Sequence, residues 1–196
     1  MTKRIFLTIA LVISGLAAFC QTVINGEQRA KVMQNIEKKA AATSTLQCSF
    51  TQTRTSSLLT DPVVMKGHLS FNKPSDVVWD YDSPQKRTIK VSDKSVTVTA
   101  DGKTTALNPR IKKMVQGFTS LIMGESGKLL DEKLFDVTML DCDKTYRAEM
   151  TPLRKDMQRL FAKIIFRFVK DSYQVEAITL SEREGDEVAI EFYNIK

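Results

Sequence analysis

Between residues 46 and 195 the apolar side chains keep returning at every second position, and a chain written in that period buries one face only as β-sheet. In the run LQCSFTQTR, Leu46, Cys48 and Phe50 alternate with polar neighbours. VVMKGHLSF sets Met65, Gly67, Leu69 and Phe71 against Lys66, His68 and Ser70, and DVVWDY places Val77, Trp79 and Tyr81 on one side. TIKV and SVTVT add Ile89, Val91, Val96 and Val98. After an interruption, LFDVTML, YRAEM, KIIFRFV, YQVEAITLSE and EVAIEFYNI resume the same period. Turn chemistry separates the runs at Asp61-Pro62, Lys73-Pro74-Ser75, Ser83-Pro84, Ser92-Asp93 and Asp101-Gly102, and residues 181–186 read as a hairpin loop. About ten antiparallel strands at short spacing predict a barrel or a strongly curved sheet, whose inner face has to be filled.

Two amphipathic helices are available to fill it. Over residues 27–42, Val32, Met33, Ile36 and Ala40 share one face, with lysines and glutamates opposite. The interruption itself, IKKMVQGFTSLIMG (111–124), carries Met114, Val115, Phe118, Leu121 and Ile122 at helical spacing. Asn108 is placed to cap this helix, Pro109 takes its first position, and Gly124 and Gly127 end it. Short loops on both sides keep it over the mouth or inner face of the sheet. A third, short helical turn is expected from Pro152 within PLRKDMQRLF. No repeat or low-complexity linker divides the chain, so residues 21–196 read as one domain.

Residues 1–20 read as a secretory signal peptide: Lys3 and Arg4 precede an apolar run from Ile5 to Ala18 that is too short for a membrane span. Removal after Cys20 takes the formal charge from +6 to +4. Lipidation of Cys20 is the alternative, and Phe19 before it argues against that, because such sites want a small residue there. An oxidising compartment permits a disulfide between Cys48 and Cys142, while a buried free thiol fits the same alternating strands.

Composition, 42% hydrophobic and 27% charged, is that of a folded globular protein. The basic residues are scattered among acidic ones, which leaves no focused patch for nucleic acid. The single histidine, His68, lies on a polar strand face. With no second histidine and no C-x-x-C spacing, a zinc site is not expected. No nucleophile elbow, P-loop or dinucleotide fingerprint occurs, and no cofactor is called for. The acidic residues fall on turns and polar faces, so no catalytic residue is assigned and an enzyme is not expected. What remains is binding by an apolar interior, which a generous supply of methionines suits.

The ordered series Phe50-Thr51-Gln52, Gly67, Leu69, Lys73-Pro74, Trp79, Pro84 and Val91-Ser92-Asp93 resembles the periplasmic outer-membrane lipoprotein carrier family, the LolA-like proteins. Looser likeness runs through the central helix to EAITLSEREGDEVAIEFYNIK. The resemblance implies an open, incomplete antiparallel β-barrel covered by an α-helical lid. It implies a periplasmic carrier that holds the acyl chains of lipoproteins and ferries them from an inner-membrane ABC-type release complex to an outer-membrane receptor. The carrier is expected to be a monomer. Phe50, Met65, Leu69, Phe71, Val77 and Trp79 are then the cavity wall, and Met114, Val115, Phe118, Leu121 and Ile122 the lid contacts. In the family an arginine precedes the proline and latches the lid by hydrogen bonds. Lys73 stands there instead and lacks the planar fork. Burial contributes about 0.8 kcal/mol per methylene, so a ~16-carbon chain is worth roughly 10 kcal/mol to such a carrier. The alternatives are a membrane-tethered lipoprotein acceptor or an envelope sensor on the same fold, or a carrier of a non-lipoprotein lipid.

Overall fold

The computed structural model describes residues 22–73, 76–107, 112, 116 and 130–196. Along the chain run β1 (Thr22–Val23), α1 (Gly26–Ala42), β2 (Thr45–Thr55), β3 (Val63–Asn72), β4 (Asp76–Ser83), β5 (Arg87–Val91), β6 (Val96–Ala100) and β7 (Lys103–Ala106). They are followed by β8 (Phe135–Cys142), β9 (Thr145–Pro152), α2 (Lys155–Gln158), β10 (Phe161–Val169), β11 (Val175–Glu182) and β12 (Glu187–Tyr193). The strands form one antiparallel sheet in the order β1-β8-β9-β10-β11-β12-β2-β3-β4-β5-β6-β7. β1 and β7 are its two ends, so the sheet is an open barrel, mainly β with few helices.

The period-two pattern sets the register. Phe50 lies opposite Gly67, Cys48 opposite Leu69 and Leu46 opposite Phe71, while Leu69 and Phe71 face Trp79 and Val77 in turn. Each row therefore projects to one side, and that side is the core: Phe50, Leu69, Phe71, Val77 and Trp79 are all buried there. Phe50 meets Trp79 and Tyr81 edge to face, with ring centroids 5.2 and 5.1 Å apart. Gly67 is what lets β4 come so close beside this cluster. A Cβ at that position would stand 2.0 Å from the carbonyl oxygen of Asp80, where a register shift interrupts the β3–β4 ladder. Asp101 and Gly102, both with positive φ, make the β6–β7 turn that the Asp-Gly pair announces.

Several expectations change in detail. β1 was not anticipated; it pairs with β8 through Thr22–Asp141 and Val23–Leu140. Pro152 does not start the short helix: it closes β9 opposite Phe135, and α2 begins at Lys155. The β11–β12 hairpin loop is shorter than residues 181–186, because Ser181 and Glu182 remain in β11. Of the helix expected over 109–123, Lys112 and Gln116 are described and helical. The segment 1–20 and the lid contacts Met114, Val115, Phe118, Leu121 and Ile122 lie outside the described residues.

The Cys48–Cys142 disulfide is not formed. Cys48 is a free, buried thiol, whereas Cys142 is disulfide-bonded. The strand order explains the failure. β9, β10, β11 and β12 stand between β8 and β2, whereas a disulfide needs Cα atoms within about 7 Å. The alternating pattern correctly placed both cysteines on strands but held no information about which strands are neighbours.

Candidate functional site

Helix α1 lies across the inner face, held by its buried Val32 and Ile36 and by partly buried Met33. Arg29 fastens its first turns to the far side of the sheet, donating to Glu132 (2.5 Å) and to the carbonyl of Val137 (3.0 Å). At the other end, the last carbonyls of the helix have no partner within it. Thr43 Oγ1 donates to the Lys39 carbonyl at 2.9 Å. Lys73, at the end of β3, reaches over and donates from Nζ to the carbonyls of Ala41 (2.7 Å) and Ala40 (3.4 Å). The cation also complements the negative end of the helix dipole. The position singled out as the latch thus grips a helix terminus.

Beneath that terminus, between α1 and the sheet, is an enclosed space of about 70 Å3. Ile36 and Ala40 roof it, Leu46, Cys48, Leu69 and Phe71 form the floor, and Phe168, Val175, Phe192 and Ile195 close the sides. Lys39, Thr43, Tyr173 and Gln174 supply the polar groups at its edge. Burial pushes the Cys48 thiol up to about 11, the behaviour of a group with little access to water.

Of the six wall residues inferred from alternation, Leu69 and Phe71 line this space. Phe50, Val77 and Trp79 are packed into the aromatic core beside it, and Met65 sits partly buried further along β3. All six share the inner face. Ile36 and Leu46 carried a legible apolar pattern without being assigned to the site. Phe168, Val175 and Phe192 come from β10, β11 and β12, and their arrival at the site depends on β12 pairing with β2, with Phe192 opposite Phe50. Lys112 and Gln116 touch the neighbouring turn: Gln116 Nε2 donates to the carbonyls of Ser92 and Asp93 (3.0 Å to the latter), and Lys112 Nζ to that of Lys94 (2.6 Å).

The outer face carries a serine–histidine–aspartate row. Ser49 Oγ lies 3.3 Å from His68 Nδ1, and His68 Nε2 lies 3.3 Å from Asp82 Oδ2. A wide hollow of about 630 Å3 adjoins it, with a mixed lining that sets Ser49, His68, Asp80 and Lys196 beside Leu69, Val78 and Ile195. The geometry is that of an exposed cross-strand network. Nucleophilic catalysis also needs uncommitted N–H donors beside the nucleophile, and β2 is paired on both sides at Ser49, with His68 and with Tyr193. The larger hollow is a mixed surface in which His68, Asp80 and Lys196 interrupt the apolar residues, so the small space under α1, with its mainly apolar lining, is the better site. No group of metal-ligating side chains occurs among the described residues.

The family model described as "Outer membrane lipoprotein carrier protein LolA" matches residues 41–196. No curated protein sequence matches the chain significantly. Among solved structures, the MucA/MucB complex of Pseudomonas aeruginosa is similar, with 9% identity and a TM-score of 0.52 over 86% of this chain and 56% of that one. A LolA superfamily protein from Nitrosomonas europaea aligns at 7% identity and TM-score 0.44, over 85% of this chain and 92% of that one. LprF from Mycobacterium bovis aligns at 12% and 0.47, over 87% and 93%. At such identities the likeness is one of fold.

Proposed function

The chain belongs to the outer membrane lipoprotein carrier family, and from that premise we propose that it is a periplasmic carrier of acyl chains, taking up the tails of lipoproteins beneath α1. Residues 1–20 serve as the targeting segment and residues 21–196 as the single carrier domain. The tails are received from an inner-membrane ABC-type release complex and passed to an outer-membrane receptor. Met114, Val115, Phe118, Leu121 and Ile122 act as lid contacts, and Lys73 as the latch.

One observation carries this reading: an apolar space roofed by a helix whose end is clamped from the opposite strand. At about 70 Å3 it is far smaller than the roughly 300 Å3 or more of ordinary ligand pockets. The empty protein is therefore the closed state, and uptake requires α1 to move. Moving it exposes Val32 and Ile36, at about 1.5–3 kcal/mol each, which a long acyl chain exceeds. A latch made of hydrogen bonds at about 1 kcal/mol net is weak enough to open without a fuel molecule on the carrier itself.

The test is purification of the mature domain from a bacterial periplasm without detergent, followed by native mass and organic extraction. Stoichiometric acylated peptide or lipid is expected in the wild type. It is expected to be absent from Ile195→Glu, which puts a carboxylate at the partly exposed edge of the cavity while the fold persists. A wild type that emerges empty and ignores apolar fluorescent probes sinks the carrier reading.

A further inference from the structure

The inner face is not uniformly apolar. β5 alternates Arg87, Ile89 and Val91 toward the core, opposite Tyr81, Trp79 and Val77 of β4. Arg87 is thus an inward guanidinium in the row that runs through Tyr81, Gly67 and Phe50 to Phe192, which borders the cavity. It is partly buried. Its Cζ lies 4.3 Å from the centre of the Tyr81 ring, and its Nη2 donates to Met65 Sδ at 3.3 Å. Beside it, Tyr81 donates its hydroxyl to Gln52 Oε1 at 2.9 Å.

A guanidinium inside a sheet ordinarily faces a carboxylate, because a desolvated charge without one is costly. Among the described residues Arg87 makes no ion pair. The acidic side chains of the neighbouring strand project to the outer face, where Asp80 accepts from Thr88 Oγ1 (2.6 Å) and Asp82 faces His68. Arg54, exposed at the end of β2, is already matched by Asp186 at 3.1 Å. A thioether, an aromatic face and the Tyr81 hydroxyl use part of a group that offers five donors in a planar fork. The remaining donors are suited to bidentate recognition of an oxyanion.

Resting on the acyl-carrier part of that reading and setting a phospholipid in place of a lipoprotein as cargo, we propose that Arg87 is the headgroup anchor of the site, and that the acyl lipid it selects bears an anionic phosphate ester. β5 stands three strands from β2, on the order of 14 Å across the sheet, which separates the anchor from the cavity by the reach of a headgroup and the first part of a tail. Tyr81 and Gln52 buttress the guanidinium, and Met65 yields its donor when the phosphate arrives.

The experiment compares dioleoyl phosphatidylglycerol with dioleoylglycerol, which has the same tails and no charge, as competitors of a fluorescent fatty-acyl probe on the purified domain. The wild type is expected to prefer the phospholipid by about tenfold or more, the scale of a charge-assisted hydrogen bond. Arg87→Gln is expected to erase that preference while keeping the affinity for the diacylglycerol within about twofold. Arg87→Lys is expected to retain part of it, since the charge stays and the fork is lost. Equal affinity of the two lipids for the wild type overturns the anchor while leaving the carrier reading intact, and that arm needs no variant to fold. A preference that survives Arg87→Gln overturns it as well. Displacement of the phospholipid by glycerol 3-phosphate at equal concentration would assign the site to free phosphate esters and overturn the lipid. If neither lipid displaces the probe, the carrier reading falls and the anchor with it.

Discussion

At the scale of single residues, Cys48 reports most directly on the state of the cavity. It is buried on β2, unpaired, and its thiol is raised to about 11 by burial alone. Because the raised group is neutral when protonated, the folded state holds that proton where the unfolded chain has released it. The stability this contributes is complete below the ordinary thiol value of 9.0 and is lost as the pH climbs through about 11. Two consequences are measurable on one sample. Maleimide labelling of the native protein at pH 8 is expected to be many-fold slower than in denaturant. Its rate should also continue to rise with pH beyond the point at which an ordinary cysteine has levelled off. A native thiol that labels fast and levels off near pH 9 would mean that water already fills the space under α1. The labelling is read on a Cys142→Ser background, so that Cys48 alone reports.

At the scale of elements, α1 is the moving part and Lys73 its fastening. Removing the ammonium with Lys73→Ala leaves the carbonyls of Ala40 and Ala41 to water, which costs about 1 kcal/mol, or a melting temperature lower by a few degrees for a domain of this size. The decisive readout is Cys48, whose labelling should speed up several-fold because the roof above it opens more often. Lys73→Arg should restore slow labelling, since its fork spans two carbonyls at once. Unchanged labelling in Lys73→Ala would reduce the lysine to an ordinary helix cap. This fastening was partly legible in the sequence: the resemblance pointed to the position, but which carbonyls it grips depends on β3 ending beside the terminus of α1. The faces of β2, β3 and β4 were legible in full, because period two assigns every side chain once one member of the run is known to be buried. Pairing between distant strands was not, since alternation says nothing about neighbours, and the choice left open between a Cys48–Cys142 bridge and a free thiol and the unassigned Phe168 and Phe192 share that cause. Arg87 falls between the two cases. The apolar run Ile89, Val91 extends back to it by one more step of two, yet a charge at the end of a run reads as solvated until the other strands show what stands opposite.

At the scale of the whole molecule, an open sheet can have an interior without keeping a hole in it. Its twelve strands curl around a core of buried side chains, and the space left beneath α1 is about 70 Å3. On the proposed carrier reading uptake is an exchange, with the apolar face of α1 leaving the sheet as hydrocarbon replaces it. The energetics of exchange leave a signature in chain length. Exposing Val32 and Ile36 costs roughly 3–6 kcal/mol together, and each methylene returns about 0.8 kcal/mol, so the first four to eight methylenes only offset the opening. A homologous series of acyl probes from six to eighteen carbons should therefore show almost no binding at the short end. Beyond the threshold, affinity should rise about fourfold per methylene, the equivalent of 0.8 kcal/mol, until the tail outruns the interior. Surface adsorption would give a shallow rise with no threshold, and a preformed pocket would give a full slope from the shortest probe. Binding with a threshold in wild type, and with the threshold moved to shorter chains in Lys73→Ala, would tie the cavity, the helix and the latch into one device. A threshold that stays put in the variant would separate the latch from uptake, and the hold of Gln116 on Ser92 and Asp93 would become the next element to release.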